Sequence, residues 1–323
     1  MERDVMNPID LEEILKIWDL GFLRKREDLL IAGSPERCLT RFVIEARDGG
    51  LFVLERIAPE QRPRRSEMGA VLQTLRERGL GKIQSYLPDM AGGFVARCGR
   101  DFWQISPYAD GLSLSRPGYI FDGWRGSILA DFLVDLRKAA APGLPLDDRK
   151  HFSIIRFMDD LQERMKRHDP AVFKDTEEII AFLHYDFADV HDGLPVIFCH
   201  GDLHPLNVIW SDSDIISVID WEFMGCKGEF YDVANLIGCV GMEHPAGLTG
   251  PLVQEFLLVL KNAGFLSLLS LQYLVEAVIA LRFAWLSEWL RKGDREMVDL
   301  EVVYLKLLRE HGDVLREEWH IGV

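Results

Sequence analysis

The sequence predicts an α+β chain in two parts: a small, antiparallel β-rich N-terminal part over residues 1–106 and a larger, mainly helical part over 107–323. Three observations predict it. Short segments rich in β-branched and aromatic residues, punctuated by Gly-containing turns, fill the first part. Beyond Tyr108 the apolar residues recur at helical spacing over long stretches. Finally, 323 residues exceed one typical domain, and 48% hydrophobic content can build a sizeable core.

Taken in order, Asp10 with Glu13 three residues later reads as a helix-capping pair, and Gly21 closes that first helix. "EDLLIAG", "RCLTRFVIEA" and "LFVLERIA" read as strands, the last two joined into a hairpin by the Asp48-Gly49-Gly50 turn. "RRSEMGAVLQTLRERG" places Met68, Leu72 and Leu75 on one helical face, with Gly79 as the stop. "GGFVAR" and "DFWQISPY" complete the sheet, and the segment 106–111 is the connector. Helices are expected over 121–140, 152–167, 177–190, 251–262, 268–291 and 295–318. Two short strands, "LPVIFCH" and "DIISVID", interrupt them.

Composition excludes several classes. A formal charge of −15 argues against nucleic acid or an anionic membrane surface as partner, both of which select clustered Lys and Arg. Five scattered cysteines without a C-x-x-C pair suggest neither a disulfide framework nor a thiolate zinc site, and fit a reducing cytoplasm. The acidic, amphipathic start does not read as a signal peptide, and no stretch is apolar enough for a membrane span.

The chemistry concentrates in "HGDLHPLNVIWSDSDIISVID", from His200 to Asp220. A polar turn between two strands frees its side chains from the ladder. Asp202 and Asn207 lie in that turn, and Asp220 ends the next strand. Three oxygen ligands suit a hard ion such as Mg²⁺, and a carboxylate beside that ion can accept a proton from an attacking hydroxyl. The order Asp, four residues, Asn, then a strand-end Asp matches a protein-kinase catalytic loop and its metal-binding acid. Only eleven residues separate Asp220 from Asp232, with no A-P-E, which leaves no room for a peptide-docking segment. No protein substrate is expected.

"VIFCHGDLHPLNVIW", "VIDWEF" and "YDVANL" together resemble the aminoglycoside phosphotransferase and choline kinase family, whose hallmark is H-G-D-x-x-x-x-N followed by a hydrophobic strand and I-D-W/F. The resemblance implies a bilobal protein-kinase-like fold and transfer of a γ-phosphoryl group from ATP or GTP, with Mg²⁺, to a hydroxyl of a sugar, amino sugar, amino alcohol or aminoglycoside. It implies that Asp202 takes the hydroxyl proton, that Asn207 and Asp220 hold Mg²⁺, and that His200 and Asp232 support the loop.

The same resemblance places Gly33, Ser34 and Arg37 in a phosphate-facing turn, and Ser106 and Tyr108, with Ile105, beside an adenine ring. The strand "LFVLERIA" departs from the pattern: Glu55 stands where lysine is commonest and Arg56 follows it. Either the register slips and Arg56 meets the phosphates, or the chain follows a subgroup lacking that lysine. Glu67 is a candidate acid for pairing with the basic strand residue, or simply a first-turn helix acid. "RPRR" reads as a solvated helix start, and Trp285 and Trp289 as a buried stripe. Two rivals stand beside the kinase reading: a metal-dependent hydrolase using His200, Asp202 and His204, and a nucleotide-binding homologue without activity.

Overall fold

The computed structural model describes residues 8–33, 35–147 and 151–320. They form two compact units, neither continuous in sequence. The first comprises 1–113, 139–146 and 206–222, and the second 114–138, 147–205 and 223–323.

The first unit opens with α1 (Pro8–Leu15), followed by strands β1 (Phe22–Lys25), β2 (Thr40–Ala46) and β3 (Leu51–Ile57). Helix α2 (Arg62–Glu77) and strands β4 (Ala96–Cys98) and β5 (Asp101–Pro107) complete an antiparallel sheet in the order β1-β2-β3-β5-β4. Asp48 makes the β2–β3 hairpin, its carboxylate accepting from the Gly50 N–H at 2.9 Å while Gly49 takes a positive φ. One core gathers Leu11, Leu15 and Trp18 against Ile44, Leu54, Trp103 and Ile105. On α2 the expected stripe of Met68, Leu72 and Leu75 is buried.

The first strand corrects the sequence expectation. "EDLLIAG" forms turns and irregular chain, and β1 is the earlier "FLRK". Both segments carry apolar residues, but only the earlier one pairs with β2, through Phe22 opposite Ala46 and an Arg24–Glu45 ion pair of 2.8 Å. Arg26 to Leu39 therefore becomes a long connection that, among its described residues, carries one 3₁₀ turn, Pro35–Arg37. The capping expectation for Asp10 concerns a side chain outside the described residues.

Late in the chain the first unit gains a hairpin, β8 (Val208–Trp210) with β9 (Ile215–Val218). It is stitched to the unit's own backbone: the Val218 N–H donates to the Lys82 carbonyl at 3.0 Å and the Gln84 N–H to the Val218 carbonyl at 3.1 Å.

The second unit is helical: α3 (Gly123–Ala139, its last residue grouped with the first unit), α4 (Ile154–His168), α5 (Pro170–Asp186), α6 (Ala188–His191), α7 (Tyr231–Glu243), α8 (Pro251–Asn262), α9 (Leu268–Gln272), α10 (Leu274–Lys292), α11 (Arg295–Glu310) and α12 (Gly312–Glu318). Helix α7 is apolar almost all round and almost wholly buried, as a central helix must be. Helices α10 and α11 are locked by a bidentate pair, Arg282 to Glu301 at 2.6 and 2.7 Å, with both side chains almost fully buried. A small sheet, β6 (His151–Phe152), β10 (Gly225–Gly228) and β7 (Val196–Cys199), lies in the order β6-β10-β7.

Candidate functional site

Strand β7 ends at Cys199, so His200 is the first residue released from the ladder. Cys199 pairs with Gly225 of β10, which fixes where that release occurs. From there the backbone is held by Asp232, in the first turn of α7. Its two carboxylate oxygens accept the N–H groups of His200 at 2.7 Å and Gly201 at 2.8 Å. Gly201 turns through a φ of +86°, which a side chain would resist. The next N–H, of Asp202, donates to His200 Nδ1 at 3.1 Å. Three successive amides are thus spoken for, and the Asp202 side chain sits on a fixed backbone.

Asp202 is 8% exposed, with His204 Nε2 at 3.8 Å from its Oδ1. Farther along the loop the Leu203 carbonyl accepts from Asn235 Nδ2 at 3.1 Å, and Asn235 Oδ1 accepts from Trp285 Nε1 at 3.2 Å. The Trp285 ring lies edge-on to His204, centroids 6.0 Å apart. Trp285 is half-buried, and so departs from the expected core stripe: its indole N–H is used to hold the loop. Trp289 likewise donates to Glu301 at 3.3 Å. Neither role was visible in helical spacing, because periodicity reports a face and not its partner.

Burial pushes the Asp232 carboxyl up to about 6, against the pull of the two loop amides and of Lys227. His200 is fully buried and its Nδ1 is engaged by the Asp202 amide, which disfavours it as a metal ligand. Among the described residues no group of three His, Cys, Asp or Glu side chains is placed to hold a metal ion. The engagement of His200 Nδ1 weakens the hydrolase reading.

Asn207 and Asp220 belong to the first unit, at one end of the β8–β9 hairpin. Val208 pairs with Val218, and one step outward the Ile219 N–H donates to the Asn207 carbonyl at 3.0 Å, leaving Asp220 next in line. Asp220 adopts a φ of +66°, a conformation that Asp tolerates better than most residues. The pairing brings the backbone of Asn207 to within one residue of Asp220, and the two residue types, a carboxamide and a carboxylate, are the hard-oxygen donors that a magnesium ion takes.

Of the expected phosphate-facing turn, Gly33 lies against Asp220. A Cβ there would stand 2.9 Å from Asp220 Oδ1, and the φ of +83° also calls for glycine. Its carbonyl accepts from Arg41 at 2.6 Å. Ser34 lies outside the described residues. Arg37 Nη1 is 3.9 Å from Asp220 and 2.5 Å from Glu222.

Glu55 faces Arg65 of α2 at 3.5 Å, while Arg56 points to the other side of the strand, 3.9 Å from Asp101. Glu67 bonds Arg64, one turn earlier on its own helix, at 2.6 Å. The expectation that "RPRR" is a solvated helix start fails for its last residue. Arg65 is 3% exposed, bonded to Tyr86 at 3.0 Å, to Glu222 at 3.1 Å and to the Arg37 carbonyl at 2.7 Å. Carboxylates from elsewhere in the sequence draw it inward, and local composition carries no trace of them.

Ser106 is buried and accepts from Gln84 at 2.8 Å, and Ile105 is a core residue. Tyr108 donates its hydroxyl to the Leu30 carbonyl at 3.1 Å and its N–H to Leu51 at 2.9 Å.

Comparison with known proteins adds the context. A model of the phosphotransferase enzyme family matches residues 39–265. Among solved structures, the chain is similar to an aminoglycoside phosphotransferase from Alicyclobacillus acidocaldarius subsp. acidocaldarius. That pair is 14% identical, with 99% of this chain and 98% of that one covered and a TM-score of 0.64. It is similar to an aminoglycoside 2'-phosphotransferase solved as its GDP complex, at 13% identity, 95% and 100% coverage and a TM-score of 0.66. It is also similar to a choline/ethanolamine kinase family protein from Mesorhizobium loti, at 17% identity, 91% and 91% coverage and a TM-score of 0.60. No curated protein matches the sequence. At such identities the structural likeness is one of fold, and the fold is the protein-kinase-like α+β architecture. No helix among the described residues is long and apolar enough to cross a membrane.

Proposed function

The chain belongs to the phosphotransferase enzyme family and is a small-molecule kinase, and on that premise we propose that it moves the γ-phosphoryl of ATP or GTP to a hydroxyl of a sugar, amino sugar, amino alcohol or aminoglycoside. Asp202 accepts the hydroxyl proton. The Asn207 and Asp220 oxygens hold Mg²⁺, which when bound neutralises charge on the nucleotide phosphates. What supports the reading is the ordered Asp202, Asn207, Asp220 pattern in a chain of this family, together with the β8–β9 pairing, in which the Asn207 carbonyl accepts from the Ile219 N–H one residue before Asp220. His200 and Asp232 are positioning residues: they fix the backbone from which Asp202 projects.

The nucleotide is assigned to residues 1–106, with Gly33, Ser34, Arg37 and the Ser106–Tyr108 strand end as its contacts, and the acceptor to 107–323. Support for a nucleotide comes from the GDP bound in the similar 2'-phosphotransferase structure. Kanamycin in another similar structure supports a small hydroxyl-bearing acceptor. We also assign the enzyme to the cytoplasm, in keeping with its five free cysteines.

The test is a panel of alcohols incubated with ATP and Mg²⁺ and read by nucleoside diphosphate release, with Asp202→Asn beside the parent. The variant is expected to lose at least about a hundredfold in turnover, as removal of a general base does. Near-parental turnover in Asp202→Asn would take that side chain out of the chemistry.

A further inference from the structure

The first unit contains an ion-pair network whose polarity is the reverse of what a lysine on β3 would give. The strand supplies the acid, Glu55, and the helix supplies the cation, Arg65, at 3.5 Å. Burial pushes the Glu55 carboxyl above its usual range while Arg65 pulls it down. Arg65 is too enclosed to serve a ligand directly. It grips another arginine twice over instead: Nη2 bonds the Arg37 carbonyl at 2.7 Å and reaches Glu222 at 3.1 Å, and Glu222 in turn holds the Arg37 guanidinium at 2.5 Å. Arg64 fixes the same acid from behind, donating to the Glu222 carbonyl at 2.9 and 3.2 Å.

The end of this relay is a guanidinium held 3.9 Å from Asp220 and partly open to solvent, with 20% of its side chain exposed. Phosphate oxygens sharing a metal with Asp220 would come within hydrogen-bond reach of it. A guanidinium is also the group best shaped to take two phosphate oxygens at once. Resting on the functional reading above, we propose that Arg37 is the cation that engages the nucleotide's terminal phosphates, and that Glu55, Arg65 and Glu222 are the residues that position it. The positive charge is thus delivered by the β1–β2 connection and braced by an inverted strand–helix pair.

The experiment is competition of ATP, ADP and adenosine against a fluorescent ATP analogue on the full chain with Mg²⁺, alongside steady-state KM values for ATP and acceptor. Arg37→Ala is expected to weaken ATP by about tenfold to a hundredfold, the worth of a charge-assisted contact, with adenosine affinity unchanged. Arg37→Lys should recover part of the loss. Glu55→Gln and Arg65→Lys should raise the KM for ATP with little change in that for the acceptor, and should add little once Arg37 is alanine. Equal losses for ATP and adenosine in Arg37→Ala, or no loss, overturn the proposal. So does a Glu55→Gln effect of full size in the Arg37→Ala background. A parent chain that binds no Mg-ATP would remove the functional reading, and the proposal with it.

Discussion

Replacing Gly201 by alanine isolates the backbone geometry that the catalytic reading needs. At a φ of +86° the added methyl group costs about 1–2 kcal/mol on conformational grounds alone. It would also stand 2.1 Å from the Phe223 carbonyl oxygen and 2.6 Å from its carbon. Those atoms are main chain just before β10, whose Gly225 is paired with Cys199, so they have little freedom to withdraw. Overpacking of this kind adds about 1–3 kcal/mol, giving a destabilisation near 3 kcal/mol in all. Any relief obtained by moving Gly201 draws its N–H away from Asp232, now at 2.8 Å. Thermal unfolding should therefore show a midpoint lower by roughly 4–5 °C. Phosphotransfer assayed well below that midpoint should fall by at least about tenfold through misplacement of Asp202. Gly81→Ala, with nothing within 4 Å of its Cβ, serves as the control and should leave both readouts unmoved. A Gly201→Ala enzyme with parental midpoint and rate would refute the loop geometry described above.

Two further outcomes follow from buried charge. Glu301→Ala leaves Arg282 enclosed without its partner and should cost about 3–5 kcal/mol in denaturant unfolding, whereas Arg282→Met combined with Glu301→Leu should recover most of it; equal damage in the single and double variants would contradict this. Burial lifts the Asp232 carboxyl from its ordinary range to about 6, so the folded chain binds the extra proton. Its contribution to stability is present below the ordinary range and is lost as pH rises through the raised value. Relative to Asp232→Asn, which lacks the titration, the parent should gain about 1 kcal/mol on going from about pH 7 to about pH 5. Lys227 and Asp202, the charged groups facing it, act in opposite directions on that shift. A pH-independent difference between the two proteins would show that the carboxyl is not desolvated.

What the sequence disclosed and what it concealed divide by the range of the interaction involved. The β2–β3 hairpin was legible because Asp48-Gly49-Gly50 makes its turn from its own atoms. So was the Asp202–Asn207 spacing, which is a property of one loop. The position of β1 was not legible, since two neighbouring apolar segments compete and pairing with β2 decides between them. Strand β10, "GCKG", has no β-forming composition and owes its existence to its two neighbours. The alternation of Glu55 and Arg56 was predictable, but which of them faces Arg65 depends on the rotation of α2 and on Glu222, more than 150 residues away. Trp285 was read as filler because its partners, Asn235 and His204, come from other elements.

The stitching of the β8–β9 hairpin to the first unit also bears on how this protein can be divided. Severing the chain after Ser113 would leave the amide of Gln84 and the carbonyl of Lys82 without their partners in Val218. An excised first unit would therefore have to carry residues 206–222 as a tethered insert or receive them as an added peptide. Domain-exchange chimeras spliced at a single junction would separate the candidate magnesium ligands from the sheet they are folded with.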